Sequence, residues 1–167
     1  MSVNKNQKHV QILPEDEANR QIARGFILQL DSEYQRQIQM LPVAGGWKRV
    51  LEEFNSLHAK EMDRYDKRYM ILLIDFDDKI EERRKVAESY IQRHLADRVF
   101  VIGARNEPER LKSSFRCSYS EIGLRLANEC REDKETELGW AHDLIDHNKS
   151  ELLRMRQYVR LILFPTS

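Results

Sequence analysis

Apolar residues along this chain fall into two patterns: short dense aliphatic runs, and longer stretches where apolar positions recur every three or four residues. Dense runs read as buried strands, and the slower period reads as amphipathic helix. Residues 9–13, HVQIL, form a short run that stops at Pro14. EDEANRQIARGFILQL follows, with Ile22, Phe26, Ile27 and Leu30 at helical spacing. Residues 35–43, QRQIQMLPV, alternate loosely and predict a second strand. After Ala44, Gly45 and Gly46, a helical face runs through Trp47, Val50, Leu51, Phe54 and Leu57. The densest run, YMILLID at 69–75, predicts a third strand, and Ile80, Val86, Tyr90, Ile91 and Leu95 mark the helix after it. RVFVIG at 98–103 predicts a fourth strand, and Pro108 between Glu107 and Glu109 suits a helix start. Residues 121–163 are mostly helical, interrupted at Gly139, with Trp140, Leu144, Leu152, Met155 and Val159 as apolar marks. Within that stretch QYVRLILF also reads as a closing strand.

Strands that alternate with helices predict an α/β fold. The expectation is a mainly parallel, doubly wound sheet of about four or five strands with right-handed crossovers and a helical C-terminal extension. At 167 residues and 19.9 kDa the chain reads as a single domain over 1–167, with a core at 9–111 and the extension at 112–167. Lys plus Arg and Asp plus Glu are both 28, which removes any global field for a polyanion. Nucleic acid is then expected only on a local patch, with a partner protein or a homodimer supplying further contacts. Cys117 and Cys130 lack CxxC spacing and read as reduced packing residues, which suits a cytoplasmic protein. The polar N-terminus and the shortness of every apolar run predict a soluble chain that does not enter a membrane.

Candidate chemistry concentrates where two predicted strands end. LIDFDD places Asp75, Asp77 and Asp78 after the third strand, and Asp75 with Asp77 at i and i+2 in a turn can share a divalent cation. Glu15, Asp16 and Glu17 leave the first strand in the same way. If the two strands are neighbours where the strand order reverses, these carboxylates meet at one rim of the sheet. Their repulsion then requires a cation or a proton, and oxygen-only ligands suit Mg²⁺ or Mn²⁺. The plainer alternative is that both clusters cap and charge the starts of helices. Lys48, Arg49, Lys79 and Arg105 lie near strand ends and are candidates to face a phosphate, or else ordinary helix-surface charges. In the densest basic run, Arg83-Arg84-Lys85, the adjacent Glu81 and Glu82 favour a solvated, ion-paired face. His142 with Asp146, and Asp143 with His147, are i,i+4 pairs too few for a zinc site, so both histidines read as surface hydrogen-bonding groups. GGWK lacks P-loop spacing, and no nucleophilic triad stands out.

Taken together, Glu15 in ILPEDEAN, Gly45 and Gly46 in PVAGGW, and Asp75 and Asp77 in LIDFDD resemble a Toprim domain over roughly residues 9–111. Toprim domains occur in topoisomerases, primases and the overcoming-lysogenization-defect nucleases. The resemblance implies Mg²⁺- or Mn²⁺-dependent phosphodiester cleavage or transfer on nucleic acid, in the nuclease branch as part of mobile-element or phage defence. It implies Glu15 as ligand or general base and Asp75 and Asp77 as metal holders, within a metal set of Glu15, Glu17, Asp75, Asp77 and Asp78. Gly45, Gly46, Lys48, Lys79 and Arg105 would then contact substrate. Most members carry glycine directly after the first glutamate, whereas this chain has Asp16, so Glu15 and Glu17 both stand as matches. Glu107 or Glu109 matches the further acidic residue of the nuclease branch. A lesser resemblance is to response-regulator receivers, with Glu15 or Asp16 as metal ligand and Asp75 as phosphoacceptor. The 60 positions between residues 15 and 75 exceed the usual receiver spacing. The competing class is a non-catalytic regulatory or interaction protein with a receiver-like or degenerate Toprim-like fold.

Overall fold

In a computed structural model, which describes residues 2–165, the aliphatic runs form β1 (His9–Pro14), β2 (Ile38–Met40), β3 (Arg68–Leu73) and β4 (Val99–Ile102). All four are parallel, in the order β2-β1-β3-β4. The connecting helices are α1 (Glu17–Ile27), α2 (Trp47–Glu53), α3 (Ala59–Arg64) and α4 (Ile80–Tyr90). After β4 come α5 (Pro108–Phe115), α6 (Tyr119–Glu132) and α7 (Lys149–Leu163). None of the helices among the described residues is long and apolar enough to cross a membrane.

Period-two alternation sorts the strand side chains into two core layers. Val10, Ile12, Tyr69, Ile71, Phe100 and Ile102 pack with Ala23 of α1, Ile122 and Leu126 of α6, and Val159 of α7. Leu13, Met70, Leu72, Val99 and Val101 face the other way, onto Val50, Leu51, Phe54 and Met62 and onto Ala87 of α4. The chain therefore moves outward from β1 to β2 with its helix on one face. It then returns past β1 to β3 and on to β4 with helices on the opposite face. The reversal falls between β1 and β3, and the register aligns Pro14 with Leu73 and Leu73 with Ile102, so three strands end level at one rim.

Two expectations change. The second strand is short, because Gln35–Gln37 form a turn of 3₁₀-helix and only Ile38–Met40 pair with β1. QYVRLILF is not a strand: Leu152, Val159, Ile162 and Leu163 are buried along one face of α7. Side chains occupy the place of a fifth strand along the outer edge of β4. Glu151 Oε2 accepts the Val101 N–H at 2.8 Å, and Asn148 Oδ1 accepts the Gly103 N–H at 3.1 Å. Arg84 Nη1 donates to the Val101 carbonyl at 3.0 Å, and Arg154 Nη2 to that of Val99 at 3.3 Å. An edge so satisfied offers no template for further pairing.

Helices α1 and α6 touch backbone to backbone. A Cβ on Gly123 would lie 1.9 Å from the Ile22 carbonyl oxygen, and one on Gly25 would lie 2.0 Å from that of Ser120. Ser118 and Glu121 close a reciprocal capping box at the start of α6, which fixes where that helix begins. Between this pair, α7 and the sheet remains an apolar cavity of about 120 Å³.

The edge seal yields a prediction. Glu151→Ala leaves the Val101 N–H without its acceptor and is expected to lower stability by about 1–3 kcal/mol in urea denaturation. Glu151→Gln keeps an acceptor at that place and is expected to recover most of the loss; equal losses in the two variants would refute the edge role.

Candidate functional site

Where β1 and β3 end side by side, the chain leaves the sheet through Glu15 and Asp75. The Glu15 N–H continues the ladder by donating to the Leu73 carbonyl at 2.9 Å. Its Oε2 accepts the Asp75 N–H at 2.7 Å, so the side chain leaving one strand ties down the backbone leaving the next. Gly45, in the left-handed region at φ 91°, brings its N–H to the Glu15 carbonyl at 2.8 Å. The glycine turn thereby wraps the glutamate from the β2 side. Burial raises the Glu15 carboxyl above the ordinary range, against the lowering effect of the Asp75 N–H.

Asp75 is the more perturbed acid. Burial pushes its carboxyl up to about 7, the Asn19 hydrogen bond pulls it down, and the charges of Glu15, Asp16 and Glu109 push it further up. Asn19, buried on α1, donates Nδ2 to Asp75 Oδ1 at 3.1 Å and to Asp16 Oδ1 at 3.0 Å. Asp16 is the N-cap of α1 and accepts the Asn19 N–H at 2.9 Å. Opposite them lies Arg83 of α4, whose side chain is 12% exposed. Its guanidinium donates to the Asp75 carbonyl, stacks 4.5 Å from the Trp47 ring and reaches Asp77 Oδ2 at 3.5 Å. The site is thus two half-buried carboxylates, one buried amide that orients Asp75, and one cation held against an indole.

The other candidates lie around this centre or away from it. Glu17 sits on the exposed face of α1, bonded through both carboxylate oxygens to Arg20 at 2.8 and 2.9 Å, and is not part of the pair. Asp77 and Asp78 take left-handed conformations at φ 48° and 57°. Asp78 accepts from Asn106 Nδ2 at 2.7 Å, which turns it toward the loop after β4, while Asp77 projects outward beside Arg83. Gly46 starts α2 without a side-chain cap, Lys48 is exposed with its Nζ 5.8 Å from the Trp47 ring, and Lys79 is exposed next to Asp78. Arg105 is committed elsewhere, donating to the Asp143 carbonyl at 3.1 Å and to Asp146 at 3.4 Å. Glu107 is the N-cap residue of α5 and Glu109 lies in its first turn.

The five-carboxylate metal set does not converge: among the described residues, no three His, Cys, Asp or Glu side chains come together to hold a metal ion. Of that set Glu15 and Asp75 lie beside each other; an ion of the magnesium type is ordinarily held by one or two carboxylates with water and substrate phosphate completing its shell.

Arg83 and Arg84 are not the solvated helix face that their glutamate neighbours suggest. Arg84 is half-buried over the Phe76 ring at 4.8 Å and holds the Val101 and His147 carbonyls at 3.0 and 3.2 Å. Neither is His147 a surface group. It packs edge-on against Phe76 at 5.0 Å, and burial, followed by the charges of Arg84 and Arg105, lowers it to about 4. His142 packs against Phe115 at 4.6 Å and accepts the Leu144 N–H at 3.1 Å. Asn19 was invisible as a site residue, although its place three residues after the capping Asp16 was a signal that it lies on the same turn.

Comparison with known proteins finds no matching family model, no similar curated protein and no similar solved structure. The fold and site define the chain as an α/β protein with two half-buried carboxylates side by side at the switch point of a parallel sheet.

Two pH dependences follow. Asp75 is raised from 3.8 to about 7, so the folded state favours its protonated form; that stabilisation is full below 3.8 and disappears as pH rises to about 7. Asp75→Asn, a permanent mimic of the protonated acid, is therefore expected to melt higher than wild type at pH 8, by the equivalent of about 1–2 kcal/mol after solvent screening, with little gain at pH 4. His147 has the opposite sign: its folded value lies below 6.5, so stability is full above 6.5 and declines as pH falls toward 4. His147→Phe should lose less stability than wild type between pH 6.5 and 4, measured as urea midpoints; parallel losses would refute the assignment.

Proposed function

We propose that this chain performs Mg²⁺- or Mn²⁺-dependent phosphodiester cleavage or transfer on nucleic acid, in the manner of the Toprim domains that its acidic motifs resemble. The observation that carries the reading is the hydrogen bond from the Asp75 N–H to Glu15 Oε2 at the β1/β3 switch point, beside a carboxyl pushed up to about 7. That bond keeps the Glu15 carboxylate beside the Asp75 turn, where its charge raises the Asp75 carboxyl and a proton or a cation relieves the repulsion.

Glu15 and Asp75 would hold the ion, and Asp77 stands exposed on the same turn, adjoining Arg83. When bound, such an ion neutralises phosphate oxygens and lowers the pKa of coordinated water. Asn19 fixes the Asp75 carboxylate in one orientation through Oδ1. Asp75, which holds a proton near neutrality, must release it on loading, so occupancy rises with pH. Arg83, against Trp47, places a fixed positive charge at the rim where a phosphate would arrive. Glu15, raised in the same direction as Asp75, is suited to accept a proton from an attacking water. A zero net charge leaves substrate binding to this local rim or to a partner or second copy.

The test combines melting and cleavage. Millimolar Mn²⁺ or Mg²⁺ is expected to raise the melting temperature of wild type and of Glu17→Gln, but not of Asp75→Asn. Cleavage of labelled DNA and RNA should fall in Asp75→Asn by on the order of 100-fold, at or beyond the loss typical of an outer-sphere metal partner. A wild type unresponsive to both ions sinks the enzyme reading. Labelling of Asp75 by acetyl phosphate would replace it with a receiver-like phosphoacceptor.

A further inference from the structure

The apolar cavity beneath the acidic rim carries a second, independent inference. Its floor is Ile12, Ile71 and Ile102 of three neighbouring strands, and its roof is Ala23 of α1, Leu126 of α6 and Val159 of α7. At about 120 Å³ it approaches the ~150 Å³ apolar cavity known to stay dry and to admit benzene or xenon. Close-packed interiors carry few voids larger than a water molecule, and a void persists where its walls cannot shift inward. Here the backbone contact of α1 with α6 through Gly25 and Gly123 blocks that movement from one side. From the other side α7 is held by Glu151 and by Asn148 just before it, both bonded to the edge of β4.

Two amides in the wall already hold hydrogen bonds. Asn148 bonds both the N–H and the carbonyl of Gly103, at 3.1 and 2.9 Å, and Asn19 Nδ2 is taken by Asp16 and Asp75. Water would find few partners there, and a polar ligand equally few. The outer end reaches Lys134 and Arg156, which are closed off by surface ion pairs: Lys134 with Glu132 at 2.7 Å, and Arg156 with Asp133 at 3.2 Å and Glu135 at 2.8 Å. Exposed pairs of this type contribute little stability, so this end is the candidate route of entry.

We infer that this cavity is a binding site for a compact apolar molecule of about the size of benzene, separate from the acidic crevice and joined to it through Asn19. Asn19 lines the cavity with the same side chain that orients Asp75. The inference does not rest on the metal reading: it needs only the void and its fixed walls.

Benzene is the probe. Titrated into the full chain, it is expected to shift the methyl resonances of Ala23, Leu126 and Val159 and the side-chain amide of Asn19 in a saturable way, and to raise the melting temperature. Ala23→Leu fills the void and should abolish both responses, and Val159→Leu provides the same test from α7 should the first variant fold poorly. Asp75→Asn should bind benzene as wild type does, which separates this site from the metal site. Absence of saturable shifts in wild type, or undiminished shifts in a well-folded filled variant, would overturn the inference.

Discussion

Everything distinctive about this molecule depends on the parallel pairing of β1 with β3. The two strands lie 59 positions apart at their first paired residues, His9 and Arg68, and they run in register to Pro14 and Leu73. Pairing at such separation is costly in chain entropy, and it is held by burial on both faces: Val10, Ile12, Tyr69 and Ile71 on one, Leu13, Met70 and Leu72 on the other. At the amino end the pair is tied by a buried polar contact. Arg68 Nε donates to His9 Nε2 at 3.0 Å while His9 Nδ1 bonds the Gln7 carbonyl at 2.7 Å. Burial and the nearby cation keep that imidazole below its ordinary value, consistent with a neutral ring that accepts from Arg68 and donates to Gln7. A one-residue slip would turn every buried side chain to the wrong layer and would separate Glu15 from Asp75.

The acidic crevice is therefore a product of topology rather than of local sequence. Strand order reverses between β1 and β3, helices leave on opposite faces, and the space between them exposes the carboxyl ends of both strands. Glu15 and Asp75 are held there at a cost in stability, since burial disfavours the charged form of each. The cavity on the α1 side is a second place where the fold forgoes stability, and Asn19 belongs to both.

The C-terminal extension has a structural part in this arrangement. Arg84, Asn148, Glu151 and Arg154 take up the free backbone groups of β4 that a fifth strand would otherwise use. Arg84 also bonds the His147 carbonyl, and Phe76, one residue after Asp75, lies between the Arg84 guanidinium and the His147 ring. The helical tail is thus clamped to the turn that carries Asp75. It is a brace for the site as well as a cover for the sheet.

Much of the fold was legible in the chain because hydrophobic period is a local property. The runs at 9–13, 69–75 and 98–103 mark three strands, Pro108 marks the start of α5, and the acidic residues sit visibly at strand ends. The aliphatic tail 157–164 misled, since dense apolar residues suit a buried helix face as well as a strand. What the sequence alone determined was the α/β rhythm and the presence of carboxylates after β1 and β3. Only the tertiary structure decided that Glu15 rather than Glu17 meets Asp75, that Asp78 turns to Asn106, and that Arg83 and His147 are drawn inside. The reason is physical: Glu15 leaves a strand end while Glu17, two residues on, already opens a helix, and which of them faces a residue 60 positions away depends on how two strands and two helices pack.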